Sequence, residues 1–260
     1  MRTTTLLTTA LLLLAAARPA RAQGSPDPLT LAETIRGEIQ AGWLAGDGPR
    51  LQAALKLADR ATVLYPKEAL LHHYLGYAVY RTIELPKIAL SPEARDALLT
   101  QGLDALATAN KLTPMAESYI LRWSLLAQTI TDAGSAMAVV GAMQDELAQA
   151  TRLGKDNPRV SLVNGIGTFF TPPMWGGGPE AALAHLITAE ALFKNDHPGK
   201  GMPDWGRAET YAWIGVMQQK LGHVDESRRA YQEALRLEPG FVWVRDNLLP
   251  GLEKGIQPFP

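Results

Sequence analysis

The sequence predicts an all-α chain, a helix-turn-helix repeat solenoid of about five helix pairs closed by a C-terminal capping helix. Three observations carry that expectation. Alanine and leucine dominate the long segments while β-branched residues are sparse in them, which favours helices over strands. The 23 glycines and 18 prolines punctuate the chain at intervals, and so divide it into helix-length pieces. A set of small, aromatic and turn-forming residues also recurs at a fixed spacing. Stacked helix pairs need such a set: a small residue where two backbones touch, a large one where helices interlock, and a turn-former between pairs. No sheet is expected.

The first residues have the order of an export signal. Arg2 supplies the positive charge, an apolar and small stretch runs from Leu6 to Ala17, and Ala20-Arg21-Ala22 is a small-residue cleavage site. The apolar stretch is about a dozen residues long, against the roughly twenty that a membrane-spanning helix requires. Cleavage is therefore expected after Ala22, with no transmembrane segment left and a periplasmic or secreted product. The expected organisation is a signal peptide over 1–22, a short linker over 23–29, the repeat domain over 30–255 and a tail over 256–260.

Loss of Arg2, Arg18 and Arg21 with the signal lowers the 25 basic side chains to 22, against 26 acidic ones. A mildly acidic chain with mixed charges lacks the basic stripe that a nucleic-acid binder carries. The same balance argues against an anionic membrane surface. Cysteine is absent, so disulfides, thiolate catalysis, cysteine-rich metal sites and a lipidated cysteine anchor are excluded. Stability must come from packing.

The elements follow in order. Ala54, Ala58, Ala61 and Pro66 mark the second helix of a first pair, and His72, Leu75 and Gly76 open the next pair, with Gly76 ten residues after the proline. Ser91-Pro92-Glu93 starts a helix, with Ser as N-cap, Pro at the first helical position and Glu near the positive end of the dipole. That helix carries Gly102, Leu106, Ala109 and Pro114, delayed by 14 residues through an insertion around Leu85-Pro86-Lys87. Trp123-Ser124 holds the corresponding place in the third pair, which Asp156-Asn157-Pro158 ends. The fourth pair uses Gly165, then Ala182, Leu186 and Ala189, with a long loop from Thr171 to Gly178 between its helices. The fifth runs from Ala208 to Phe241: Tyr211, Ile214 and Gly215 share one face of its first helix, Ser227, Tyr231 and Ala234 one face of its second, and Pro239 closes it. Leu221-Gly222-His223 forms the turn, with Gly222 suited to a left-handed cap. A short helix near Phe241–Leu249 caps the last apolar face.

This last unit resembles the tetratricopeptide repeat, which has a large residue, Leu-Gly, an alanine, an aromatic, a second alanine and a proline at those relative places. Ser227 stands for the first alanine, and Gln218 for a second aromatic. Asn157-Pro158-Arg159 before a helix and Phe169-Phe170-Thr171-Pro172-Pro173-Met174-Trp175 after it are also similar to a group of secreted bacterial proteins of that superfamily. A further resemblance is to the exported tetratricopeptide component of tripartite ATP-independent transporters, from which the chain departs by lacking a lipid-anchor cysteine.

No catalytic constellation emerges. His72-His73 lacks the spacing that sets two ligands one turn apart, and His72 reads as a packing residue at the large-residue place. Gly176-Gly177-Gly178 precedes a helix start but has no P-loop lysine and no preceding strand. No nucleophile elbow or paired carboxylate is visible. No metal and no cofactor is expected.

The superfamily resemblance implies that a protein or peptide partner lies along the concave face of the first helices. Carried onto this chain, the candidate residues are His73, Tyr77, Tyr80 and Arg81 in the second pair, Arg159 in the fourth, and Gln219 and Lys220 in the fifth. Trp175 and Trp205, each in a long loop, form a second tier. The expected function is an exported, non-catalytic binding scaffold. The alternatives are an accessory component of a periplasmic solute transport system and an enzyme on a helical-repeat frame.

Overall fold

The computed structural model describes residues 26–259. The expected signal peptide and its cleavage site lie outside these residues. Among the described residues eleven α-helices follow one another: α1 (Pro28–Ala45), α2 (Gly48–Leu64), α3 (Ala69–Glu84), α4 (Pro92–Leu112), α5 (Ala116–Ala127), α6 (Ala133–Leu153), α7 (Pro158–Phe170), α8 (Pro179–Phe193), α9 (Arg207–Lys220), α10 (Val224–Leu237) and α11 (Leu249–Glu253). No strand occurs among the described residues, and no helix there is long and apolar enough to cross a membrane.

The helix starts are written in short polar side chains. Asp27, Asp47, Ser91, Asp132 and Asn157 each accept hydrogen bonds from backbone N–H groups of the first turn, at 2.8 to 3.4 Å. Such a cap stabilises a helix by about 1 kcal/mol. Proline follows within two positions in α1, α2, α4 and α7, where its missing N–H costs nothing. The Ser91 cap is the one the sequence predicts. Gly222 turns α9 into α10 with φ of 81°, a left-handed conformation that glycine adopts without strain.

The odd and even helices pair in sequence, and each first helix also packs on the pair before it, so that one core of buried apolar residues runs through the stack. Close approach depends on two glycines. A Cβ at Gly76 would fall 2.3 Å from Leu106 Cγ, and one at Gly215 would fall 2.3 Å from Tyr231 Cε1. The small residue on one helix is thus the socket for the large residue on its partner, as the repeat spacing requires. Ser227 departs from the repeat pattern without loss, because its buried hydroxyl donates to the Gly215 carbonyl at 2.8 Å. A buried hydroxyl needs such a partner.

Two local expectations change. The capping segment begins with a π-helical turn, Trp243–Leu248, before α11. Pro250 has no N–H to give the Asp246 carbonyl in a regular α turn, which accounts for the wider winding. In the second pair the packed histidine is His73, whereas His72 is half-buried and its Nε2 lies 3.0 Å from the Pro66 carbonyl.

Candidate functional site

Six of the seven first-tier candidate residues are not on an open surface. His73, Tyr77, Tyr80, Arg81 and Arg159 are at most 1% exposed and Gln219 is 4% exposed, which corrects the expectation that they face a free groove. Lys220 is half-buried. The physical reason is that the α8–α9 connection and the segment after α11 pack against these first-helix residues.

The first covering segment is the long α8–α9 connection, residues 194–206. Arg159 holds it at one end through a two-point ion pair with Asp196, at 3.1 and 2.6 Å. Tyr74 donates to the Gly201 carbonyl at 2.5 Å, and Arg36 donates to the Met202 carbonyl at 2.8 Å and pairs with Asp204 at 3.2 Å. Trp205, a second-tier loop candidate, is buried and stacks on Tyr77 with ring centres 5.0 Å apart. The segment therefore lies across first helices of the first, second and fourth pairs. Proline and glycine in 197–205 signal a loop, but nothing in periodicity says that the loop turns inward.

Arg81 is the hub beneath it. Its guanidinium makes a two-point pair with Glu209, donates to Glu84 at 2.9 Å and donates to the Tyr77 hydroxyl at 3.2 Å. Its Cζ sits 4.5 Å from the Trp43 ring centre and 5.0 to 5.5 Å from those of Tyr80, Tyr77 and Trp205. Burial alone would pull the guanidinium down, but the fields of Glu209, Tyr77 and Glu84 outweigh it and keep it charged. Burial pushes Tyr77 up to about 12, so its hydroxyl stays neutral. Glu84 is pushed up to about 7 by burial, with Arg81 opposing and Glu209 adding to the rise. This network fills the space that an external ligand of Arg81 would need. His73 is likewise internal: its Nδ1 lies 2.9 Å from Ser118 Oγ, and burial together with nearby Arg159 lowers its pKa to about 3.

The second covering segment is residues 255–259. Gln219 Nε2 donates to the Ile256 carbonyl at 2.7 Å, and Lys220 Nζ donates to the Phe259 carbonyl. Phe259 lies parallel to Trp213, with ring centres 5.6 Å apart.

Beside the second segment a groove of about 1370 Å³ stays open. Its walls come from the C-terminal ends of α1, α3, α5 and α7, the N-terminal half of α6, and the start of α9, with the 242–247 turn and Phe259 completing it. Trp43, Trp123, Phe170, Trp175, Trp213 and Trp243 supply most of its aromatic surface. Met137, Val140 and Met143 of α6 line it as well. Phe170, Trp175 and Met137 are 60%, 73% and 81% exposed. Large apolar side chains held this far into solvent and lining one groove are more than ordinary surface scatter. The methionines add an adaptable wall. Trp123 is set in place by Gly167, since a Cβ there would overlap its ring. Of the predicted residues only Trp175 reaches this groove. Trp43, Trp123, Trp213 and Trp243 escape assignment as site residues from sequence because each also fits a packing position.

No family model matches the chain and no curated protein is significantly similar to it. Among solved structures it is similar to a thermophilic TPR protein of Thermus thermophilus, at 18% identity and a TM-score of 0.59, over 87% of this chain and 97% of that one. It is also similar to the Cut9–Hcn1 hetero-tetramer of the APC/C, at 16% identity and a TM-score of 0.54, over 88% of this chain and 41% of that one. The spacing of small and aromatic residues, the five stacked pairs and these likenesses converge on one fold, a tetratricopeptide-like helical repeat.

Proposed function

We propose that this protein is an exported, non-catalytic scaffold that takes an apolar segment of a protein or peptide partner into the aromatic groove between α5, α6, α7 and α9. The observation that carries the reading is the groove itself: about 1370 Å³, larger than the roughly 300–1,000 Å³ of typical small-molecule pockets. Its rim carries exposed Phe170, Trp175 and Met137. Aromatic and methionine side chains are the anchors that interfaces favour. The order of Arg2, the Leu6–Ala17 stretch and Ala20-Arg21-Ala22 supports export.

Display selection of a random peptide library on the chain from Gln23 onward tests the binding reading. The selected peptides should be rich in aromatic and aliphatic residues and should lose binding when Phe170 and Trp175 are both changed to alanine. Selection of no sequence family, or binding indifferent to both substitutions, counts against it. For export, N-terminal sequencing of the protein from a bacterial envelope or culture fraction should begin at Gln23, and an intact Met1 on cytoplasmic protein would reject it.

A further inference from the structure

Segment 255–259 reaches the proposed groove with its end, where Pro258 and Phe259 form part of the wall. It leaves α11 through Gly255, in the left-handed region at φ of 68°, and runs back across α9. Gln219 donates to the Ile256 carbonyl and Lys220 to the Phe259 carbonyl, both backbone oxygens. One side chain enters the groove as an anchor. The Phe259 ring lies 5.6 Å from Trp213 at an interplanar angle of 7°, and 5.7 Å from each of Phe169 and Phe170 at 59° and 89°. Pro258 before it also lines the groove, and proline holds the preceding residue extended.

Two backbone carbonyls held by side chains and one aromatic anchor after a proline are all transferable to another chain. The Gln219 and Lys220 contacts are to backbone oxygens and the three rings meet an aromatic side chain, groups that a second chain also carries. Extended segments docked on aromatic-lined grooves use the same combination of backbone reading and one side-chain pocket.

We propose that Phe169, Phe170 and Trp213, with Gln219 and Lys220, form a subsite for an aromatic residue that follows proline in an extended peptide, and that the chain's own segment 255–259 is a built-in competitor for it. This rests on the reading of the groove as a peptide site. A segment tethered in cis stands at an effective concentration on the order of mM. A free peptide of the same chemistry is therefore held off until the tethered anchor is withdrawn or outcompeted by a partner that also fills the rest of the groove. The partner is thereby specified as a segment with a proline-aromatic pair entering at Trp213 and further apolar residues reaching toward Trp123 and Trp43.

The test uses the chain from Gln23 onward, unsubstituted and with Phe259→Ala. Each is titrated by fluorescence anisotropy against a labelled peptide with the sequence of residues 255–259, Gly-Ile-Gln-Pro-Phe, and against the same peptide ending in alanine. The Phe259→Ala chain should bind the first peptide at least about tenfold tighter than the unsubstituted chain does, a difference of about 1.4 kcal/mol, and neither chain should bind the second. Equal affinity of both chains for the first peptide, or no binding to either, overturns the proposal. Adding Phe170→Ala at its exposed position should abolish the gain, and persistence of the gain overturns the assignment of the socket. The two readings separate cleanly: if library-selected peptides bind through Trp175 while Gly-Ile-Gln-Pro-Phe does not, only the subsite falls. If no peptide binds, the groove reading falls with it.

Discussion

Arg81 on α3 and Glu209 on α9, 128 residues apart, form a buried two-point ion pair that ties the second helix pair to the fifth. Their side chains are 1% and 6% exposed. Removing one partner strands a buried charge, which costs about 3–5 kcal/mol, whereas replacing both by apolar residues of similar size is often neutral. Arg81→Met alone should lower unfolding stability in urea by that amount and Glu209→Leu alone by less, since Arg81 keeps Glu84, and the double substitution should cost less than the sum of the two. Additive losses in the double variant would mean that the pair acts independently, contrary to the geometry.

A second prediction follows from the repeat sockets. Gly76→Ala and Gly215→Ala drive a methyl group into Leu106 and Tyr231, and overpacking of this kind costs about 1–3 kcal/mol. Gly141 lies within α6 with nothing within 4 Å of its Cβ position, so Gly141→Ala should stabilise by up to about 1 kcal/mol through helix propensity. Thermal denaturation of the three variants should show two downward shifts and one upward shift.

The sockets were legible because they are periodic. Gly76, Gly215, Tyr231, Ala234 and the Ser91 cap obey local rules of spacing and helix ends, and those rules hold wherever the helices pack on their nearest neighbours. The concave face was not legible in the same way. Tyr77, Tyr80 and Arg81 stand at positions that face inward in a solenoid, but whether an inward face is empty depends on contacts between residues far apart in sequence. Arg36 meeting Asp204, Tyr74 meeting Gly201 and Gln219 meeting Ile256 leave no trace in periodicity. The open groove consequently lies to the side of the expected one, between Trp123, Phe170 and Trp243.

Acid should act through His73. Its pKa in the fold is about 3, below the ordinary value of 6.5, so the unfolded chain binds more protons between those values. Stability from this site is fully present above pH 6.5 and is lost as pH falls toward 3. A His73→Gln variant should show a shallower loss of melting temperature between pH 6.5 and 4 than the unsubstituted chain, and a parallel loss would place the acid sensitivity elsewhere.

Glu84 has the opposite sign. Its carboxyl is raised to about 7 from 4.5, so the folded state binds the extra proton and the contribution present below pH 4.5 is lost as pH rises through 7. Between pH 5 and 8, Glu84→Gln should remove a downward component from the melting-temperature profile, and an unchanged slope would contradict the assignment.

The central claim is that the aromatic groove takes a peptide, and calorimetric titration of one library-selected peptide tests it most directly. The peptide is titrated into the unsubstituted chain, into Phe170→Ala with Trp175→Ala on the groove rim, and into Val63→Ala with Ile187→Ala. Val63 and Ile187 are also exposed apolar residues, 77% and 50% accessible, but lie outside the groove on α2 and α8. The account predicts at least a tenfold loss of affinity, about 1.4 kcal/mol, for the rim pair and no change for the outer pair. Equal losses in both pairs, or a loss confined to Val63 and Ile187, would contradict it.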